Sequence, residues 1–330
     1  MKELKLKAMA KINLGLDVLR KREDGYHDLR MIMQSIYLYD QIRIRQTQKP
    51  GIRLSVNLGY LPAGPENLVY KAADLLMKEF GITQGVAIDL QKYIPVAAGL
   101  AGGSSDAAAV LIGVNRLFHL GLTLEELQER GVKLGADIPY CLLRGTALAE
   151  GIGDVLTPLS KAPDCSVVIA KPKIHVSTAF VYGNLKANEL SYHPDIDGQV
   201  EAIRDGDFYA MAEKMGNVLE TVTIPAYPVI EEIKDCMKNC GAVTASRSGS
   251  RRRPSPRRSA RARHCAKCSA ASNWSARKVP QASISRTPRA CAWPPRPARR
   301  RSPTPAAARG ATTSVRWSPI SRPTIPAIRC

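Results

Sequence analysis

The sequence predicts an α+β fold for the first 245 of its 330 residues, and three observations carry that prediction. Residues 86–90, Val-Ala-Ile-Asp-Leu, alternate like a half-buried strand. Directly after them Ala107, Val110, Leu111, Val114 and Phe118 recur at helical spacing. Strand and helix patterns of the same kinds then alternate along the chain, with no internal repeat.

In order, strand-like segments run through residues 42–45, a helix is expected over 67–80, then a strand–loop–helix unit around 86–118, and a second helix over 122–134. Residues 146–156 and 166–170 read as strands, separated by a turn-rich stretch at 160–164 where a domain boundary is expected. Helical patterns follow at 177–187, 199–204, 208–215 and 229–238. The implied domains are 1–160, 161–245 and a tail, 246–330.

The tail is a different polymer from the body. From Ser246 onward there are 21 Lys plus Arg and no Asp or Glu, whereas the first 245 residues hold 27 basic and 29 acidic side chains. The whole net charge of +19 therefore belongs to the tail, and the body is close to neutral. Leu, Phe, Tyr and Met are absent from the tail, and Arg, Ala, Ser and Pro fill 60 of its 85 positions. Such a composition cannot bury enough apolar area to offset chain entropy, so disorder is expected there. The body has neither an apolar signal-type segment at its start nor a run of the roughly 18 apolar residues a membrane helix needs, so a soluble, cytoplasmic protein is expected. Cys141, Cys165, Cys236 and Cys240 lack metal spacing and read as free thiols.

The chemistry-bearing stretch of the strand–loop–helix unit is Ile94–Leu111, IPVAAGLAGGSSDAAAVL, which has no bulky side chain between its apolar flanks. Gly99, Gly102 and Gly103 are expected to let the backbone take positive φ and approach a ligand, with Ser104 and Ser105 capping the helix. Free amides at a helix start favour an anion, phosphate above all; a tight small-residue turn under another element is the plainer reading. No Gly-Lys-Ser/Thr occurs, which disfavours a P-loop, and the dinucleotide fingerprint fails as well. Lys11 and Asn13 share one side of a strand, followed by a Gly25-Tyr26-His27 turn. Singly, Lys11 reads as an exposed strand lysine, His27 as a turn histidine and Asp137 as a cap or turn former.

Taken together, KINLGLDVLRKREDGYHDL (11–29), PVAAGLAGGSSDAAAVL (95–111), LGADIPYCLLRGTALAEGIGD (134–154) and KPKIHVSTAFVY (171–182) resemble the signatures of the 4-diphosphocytidyl-2-C-methyl-D-erythritol kinases. These belong to the galactokinase, homoserine kinase, mevalonate kinase and phosphomevalonate kinase superfamily, and the resemblance runs from Lys7 to about Ala245. It implies a two-domain fold, ribosomal protein S5 domain 2-like followed by ferredoxin-like, with a cleft between the domains. It further implies transfer of the γ-phosphoryl of ATP, with Mg2+, to the 2-hydroxyl of a cytidine diphosphate-linked methylerythritol. By the same resemblance Asp137 is the base, and Lys11 keeps it ionised and orients the hydroxyl. Asn13 binds substrate, and Tyr26, His27 and Tyr182 hold the cytosine. The ATP site comprises Asn67 near the adenine and Pro95, Ala97, Ala98, Gly99, Leu100, Ala101, Gly102, Gly103, Ser104 and Ser105 about the phosphates. No magnesium ligand or oligomeric state is implied.

The resemblance stops where the composition changes. The family continues into a Ser-Gly-Ser-Gly-Pro-Thr type loop and an apolar strand, whereas here Ser248, Gly249 and Ser250 run into arginines. A reading-frame shift near Ser246 in a GC-rich gene accounts for this most simply. The rival readings are a kinase body fused to a basic nucleic-acid-binding tail, and a related kinase acting on another alcohol, against which the Gly25-Tyr26-His27 turn speaks. His264, Cys265 and Cys268 lack a second ligand pair for zinc.

Overall fold

The computed structural model describes residues 3–174, 176–245 and 328–329. Of the tail only Ile328–Arg329 is described, and it forms a strand where disorder is expected; the expectations of disorder, zinc or nucleic-acid binding for the rest of the tail lie outside the described residues. All described residues belong to one compact unit.

That unit is organised by two long antiparallel strands, β1 (Glu3–Lys21) and β2 (His27–Thr47), paired from Glu3↔Arg45 to Lys21↔His27. Their lengths exceed anything read from the sequence because three bulges, at Met9/Ala10, Asn13/Gly15 and Val18/Arg20, let the pairing bend without ending. The other edge of β2 is shared: β4 (Gly85–Gln91) takes residues 41–47 and β5 (Thr146–Gly151) takes residues 29–34. Outward of these lie β3 (Ile52–Val56) and β6 (Val155–Pro158), and β8 (Gly216–Asn217) pairs with β1. The strand expected over 146–156 is thus broken into two by a turn containing Gly151 and Gly153, both at positive φ. Only Ser166–Val167 of the strand expected over 166–170 forms, as β7, paired with β9 (Ile328–Arg329).

Alternation along β2 sends Met31 and Met33 into one apolar cluster and Ile32 into another. The first cluster receives α1 (Leu68–Glu79), α2 (Gly102–Phe118), α3 (Leu124–Val132) and α4 (Ile138–Leu143). Here α2 lies close on the sheet because Ala107, Ala108 and Ala109 are all buried, and a Cβ at Gly113 would come within 2.9 Å of Leu6. A capping box between Thr123 and Glu126 starts α3. After α5 (Thr178–Asn184), the second cluster takes α6 (Ile196–Arg204) and α7 (Phe208–Glu213) through Ile196, Ile203 and Met211. Arg30 reinforces that contact with paired hydrogen bonds to Asp197 at 2.6 and 2.7 Å. The body ends with α8 (Glu220–Ala226) and α9 (Val229–Asn239). Neither α4, with Pro139 in its first turn, nor α8, with Pro225 inside it, is expected from the sequence, since proline reads as a helix boundary. Among the described residues, Cys141 and Cys165 are free thiols, and no helix is long and apolar enough to cross a membrane.

Candidate active site

One cavity of about 880 Å³ gathers nearly every residue nominated from the sequence. Its wall includes Lys11 and Asn13 from β1, Tyr26 from the turn before β2, His27 at the start of β2, Asn67 before α1, and Tyr182 from α5. It also includes Pro95, Ala97, Ala98, Gly99, Leu100, Ala101, Gly102, Gly103 and Ser104 from the loop and first turn of α2, and Asp137 at the start of α4.

Ser105 is turned the other way: it is buried, and its hydroxyl donates to the Met9 carbonyl at 2.6 Å. The capping expected of Ser104 and Ser105 is not what forms. The helix begins at Gly102 with Ala101 as N-cap in the left-handed region and no side-chain cap, and the first helical hydrogen bond runs from the Ser105 amide to the Ala101 carbonyl. Of the three glycines expected at positive φ only Gly99 (70°) takes it; Gly102 and Gly103 do not, and Ala97 (53°) and Ala101 (53°) do instead. Alternating the sign of φ along residues 97–101 turns successive N–H groups toward one concave side, the geometry of an anion nest. Two alanines held at left-handed φ carry strain that the loop's surroundings must impose. Gly102 is favoured for another reason, since a Cβ there would crowd both Ile94 Cγ2 and Lys92 Nζ at 3.1 Å.

Lys11 is buried, and its ammonium donates to Asn13 Oδ1 at 3.0 Å and lies 3.5 Å from Asp137 Oδ1. Its backbone N–H donates to the Leu100 carbonyl at 3.1 Å, so the strand carrying the lysine is fastened to the loop. Asp137 remains partly exposed, as a group that must meet a substrate requires. Near this pair, the Cys141 thiol is pushed up to about 12, by burial first and then by Asp137, and offers no thiolate.

At another part of the wall the rings of His27 and Tyr182 stand 5.1 Å apart at a 39° tilt, while Tyr26 is exposed. Burial, then Lys21, pulls the His27 imidazole below its ordinary value, so the ring is neutral at physiological pH, and its Nε2 is buried with no partner among the described residues. Burial and then Asp137 push the Tyr182 phenol up to about 12, so it remains a hydroxyl. The side chain of Asn67 is already engaged: Oδ1 accepts from the Val69 amide at 2.9 Å and Nδ2 donates to the Pro62 carbonyl at 2.7 Å.

Sequence reasoning missed Lys92 and Asp106, which also line the cavity. Lys92 is buried between Asp40 and Asp106. Burial alone would lower its ammonium, but Asp106 and Asp40 outweigh that and hold it above its ordinary value. Burial also raises Asp106 well above the usual carboxylate range, against the pull of Lys92. The signal was present, because an aspartate inside the apolar run of a buried helix needs a cationic or hydrogen-bonding partner.

A strand–loop–helix unit offering convergent amides, with a lysine–aspartate pair beside it, defines a small-molecule kinase. A family model described as "GHMP kinases N terminal domain" matches residues 67–145. A 4-diphosphocytidyl-2-C-methyl-D-erythritol kinase from Lachnospira eligens is 54% identical over 250 residues, covering 76% of this chain and 87% of the relative. One from Lachnoclostridium phytofermentans is 57% identical over 247 residues, 75% of this chain and 85% of the relative. A crystal structure of 4-(cytidine 5'-diphospho)-2C-methyl-D-erythritol kinase superposes with a TM-score of 0.63 at 34% identity, over 72% of this chain and 84% of that one. The chain belongs to the family of 4-diphosphocytidyl-2-C-methyl-D-erythritol kinases, ATP-dependent phosphotransferases of the GHMP class.

Proposed function

We propose that the chain transfers the γ-phosphoryl group of ATP to the 2-hydroxyl of 4-diphosphocytidyl-2-C-methyl-D-erythritol. The observation that carries this is the meeting, in one cavity, of the Lys11–Asp137 pair, the concave loop 95–104 and the His27–Tyr182 ring pair. Phosphoryl transfer asks for alignment and charge stabilisation more than for covalent help, and amide donors supply both without a Walker lysine. The loop amides hold the ATP phosphates, and Asn67, whose own amide is spent on its helix and on Pro62, shapes the wall near the adenine. Asp137 takes the proton of the 2-hydroxyl as that oxygen forms its bond to the γ-phosphorus. The bond from phosphorus to the bridging oxygen breaks, and ADP leaves. Lys11, fixed by Asn13, holds the Asp137 carboxylate and the hydroxyl in register.

Tyr26, His27 and Tyr182 take the cytosine, the rings by stacking and the imidazole by a hydrogen bond to the base edge. The division at residue 160 into a nucleotide-binding domain and a second domain belongs to the same reading. Among the described residues no three His, Cys, Asp or Glu side chains gather as a metal site, so magnesium would arrive with the nucleotide. Ser104 and Glu66 on the wall are hard oxygen donors of the kind it takes, and the ion would neutralise phosphate charge when bound.

The test is a kinase assay on ATP and the cytidyl substrate. Tyr26→Ala and His27→Ala raise KM for the cytidyl substrate and leave KM for ATP unchanged, since those contacts exist before and during transfer alike. Equal effects on both substrates would place this turn outside the cytidine pocket. A second expectation follows from the lowered His27. A neutral ring persists further into acid than an ordinary imidazole, so the cytidyl KM rises on acidification with its midpoint below the ordinary value of ~6.5. A rise already complete at ~6.5 would show that the imidazole does not read the base as the neutral form.

A further inference from the structure

Beneath the nucleotide loop lies a buried cluster that the transfer mechanism does not use. Asp40, fully buried on β2, accepts from the backbone amides of Tyr93 and Ile94, at 2.5 and 2.8 Å, with one oxygen and from Lys92 with the other. Lys92 in turn donates to Asp106 on α2 at 2.6 Å. The first set of bonds fixes the chain where it leaves β4 for the loop, and the second fixes the helix where the chain leaves the loop. Lys92 Nζ reaches to 3.1 Å from where a Cβ on Gly102 would stand, so the ammonium lies directly under the first residue of α2. The two ends of the strained loop 95–101 are therefore anchored by Asp40 and Asp106, and Lys92 links the two.

Stability does not explain this choice. Two carboxylates and one ammonium in an apolar interior are commonly no better than well-packed hydrophobic residues, and here Asp106 Oδ1 is buried without a partner among the described residues. The cluster does have a consequence for the site. Ala97 and Ala101 sit at left-handed φ, a conformation non-glycine residues keep only where the surroundings over-determine it. Lys11 is tied to the same loop through Leu100, so a shift of the loop would also shift the loop's register with the lysine.

We infer that Lys92 and Asp106 are positioning residues of the nucleotide site, clamping the loop so that its amides converge on the phosphates. The inference rests on the proposed ATP site, and equilibrium binding separates the two. ATP affinity and cytidyl-substrate affinity are measured by titration calorimetry on the full chain, beside thermal melting. Asp106→Leu removes the acceptor that α2 offers Lys92, leaving Asp40 as the other, and weakens ATP at least tenfold, with cytidyl affinity changed less than twofold. Asp106→Asn retains an acceptor and recovers most of the ATP affinity. Should Asp106→Leu give no folded protein, Lys92→Arg takes its place: a planar guanidinium cannot occupy the space of the ammonium under Gly102, so ATP weakens selectively in a chain that still melts cooperatively. Variants that bind ATP like the parent overturn the inference, as do variants that lose both ligands equally or lose only melting temperature. A parent chain that binds the cytidyl compound but not ATP overturns the nucleotide reading itself.

Discussion

Asp137→Asn retains ATP binding and loses about 10²–10⁴ in turnover, the usual share of general-base catalysis. The carboxylate stands 3.5 Å from Lys11, which is itself buried and held by Asn13, so the amide replacement keeps the shape of this arrangement while removing the proton acceptor. The neighbouring Cys141 thiol is pushed up to about 12 and stays protonated. KM for both substrates should change little, because the lost interaction is one made in the transition state. Steady-state kinetics with direct ATP titration would check this, and near-normal turnover in the variant would remove Asp137 from the role.

How much of this site could be read in advance depended on whether its signals were local. Lys11 and Asn13 share a strand face, and period-two alternation alone predicts that they meet, as their 3.0 Å hydrogen bond shows. The glycine-rich loop announced itself by the absence of bulk, yet its conformation did not. Sequence reasoning assigns left-handed φ to glycines, whereas the structure places it also on Ala97 and Ala101, where tertiary anchoring overrides intrinsic preference. The approach of Asp137 to Lys11 joins distant parts of the chain, and no spacing rule reports it; only resemblance to the family suggested it. Lys92 and Asp106 escaped because a lysine following a strand reads as solvated until the fold closes over it. The long strands were underestimated for a related reason, since bulges interrupt the alternation that a reader uses to extend a strand.

Replacing residues 246–330 by the family's in-frame third motif and closing strand should raise both melting temperature and turnover above those of the 330-residue chain. The physical case begins with α9. Its apolar residues Val229, Ile230 and Ile233 are only half-buried, and the one side chain it buries is Lys234, paired with Glu220 at 2.6 Å. A helix whose apolar stripe remains half-covered contributes little of the burial that normally holds such an element, at about 25 cal/mol per Å². The relatives from Lachnospira eligens and Lachnoclostridium phytofermentans match over 76% and 75% of this chain and 87% and 85% of their own. A tail with 21 cationic residues and no Leu, Phe, Tyr or Met offers little apolar area with which to cover that stripe. The loss should amount to several kcal/mol, comparable to the ~5–15 kcal/mol margin of a typical domain. Limited proteolysis should accordingly cut the 330-residue chain from about Ser246 onward and spare the restored one. Equal melting, equal turnover and a protease-resistant tail would show that the basic segment completes the fold in its own way.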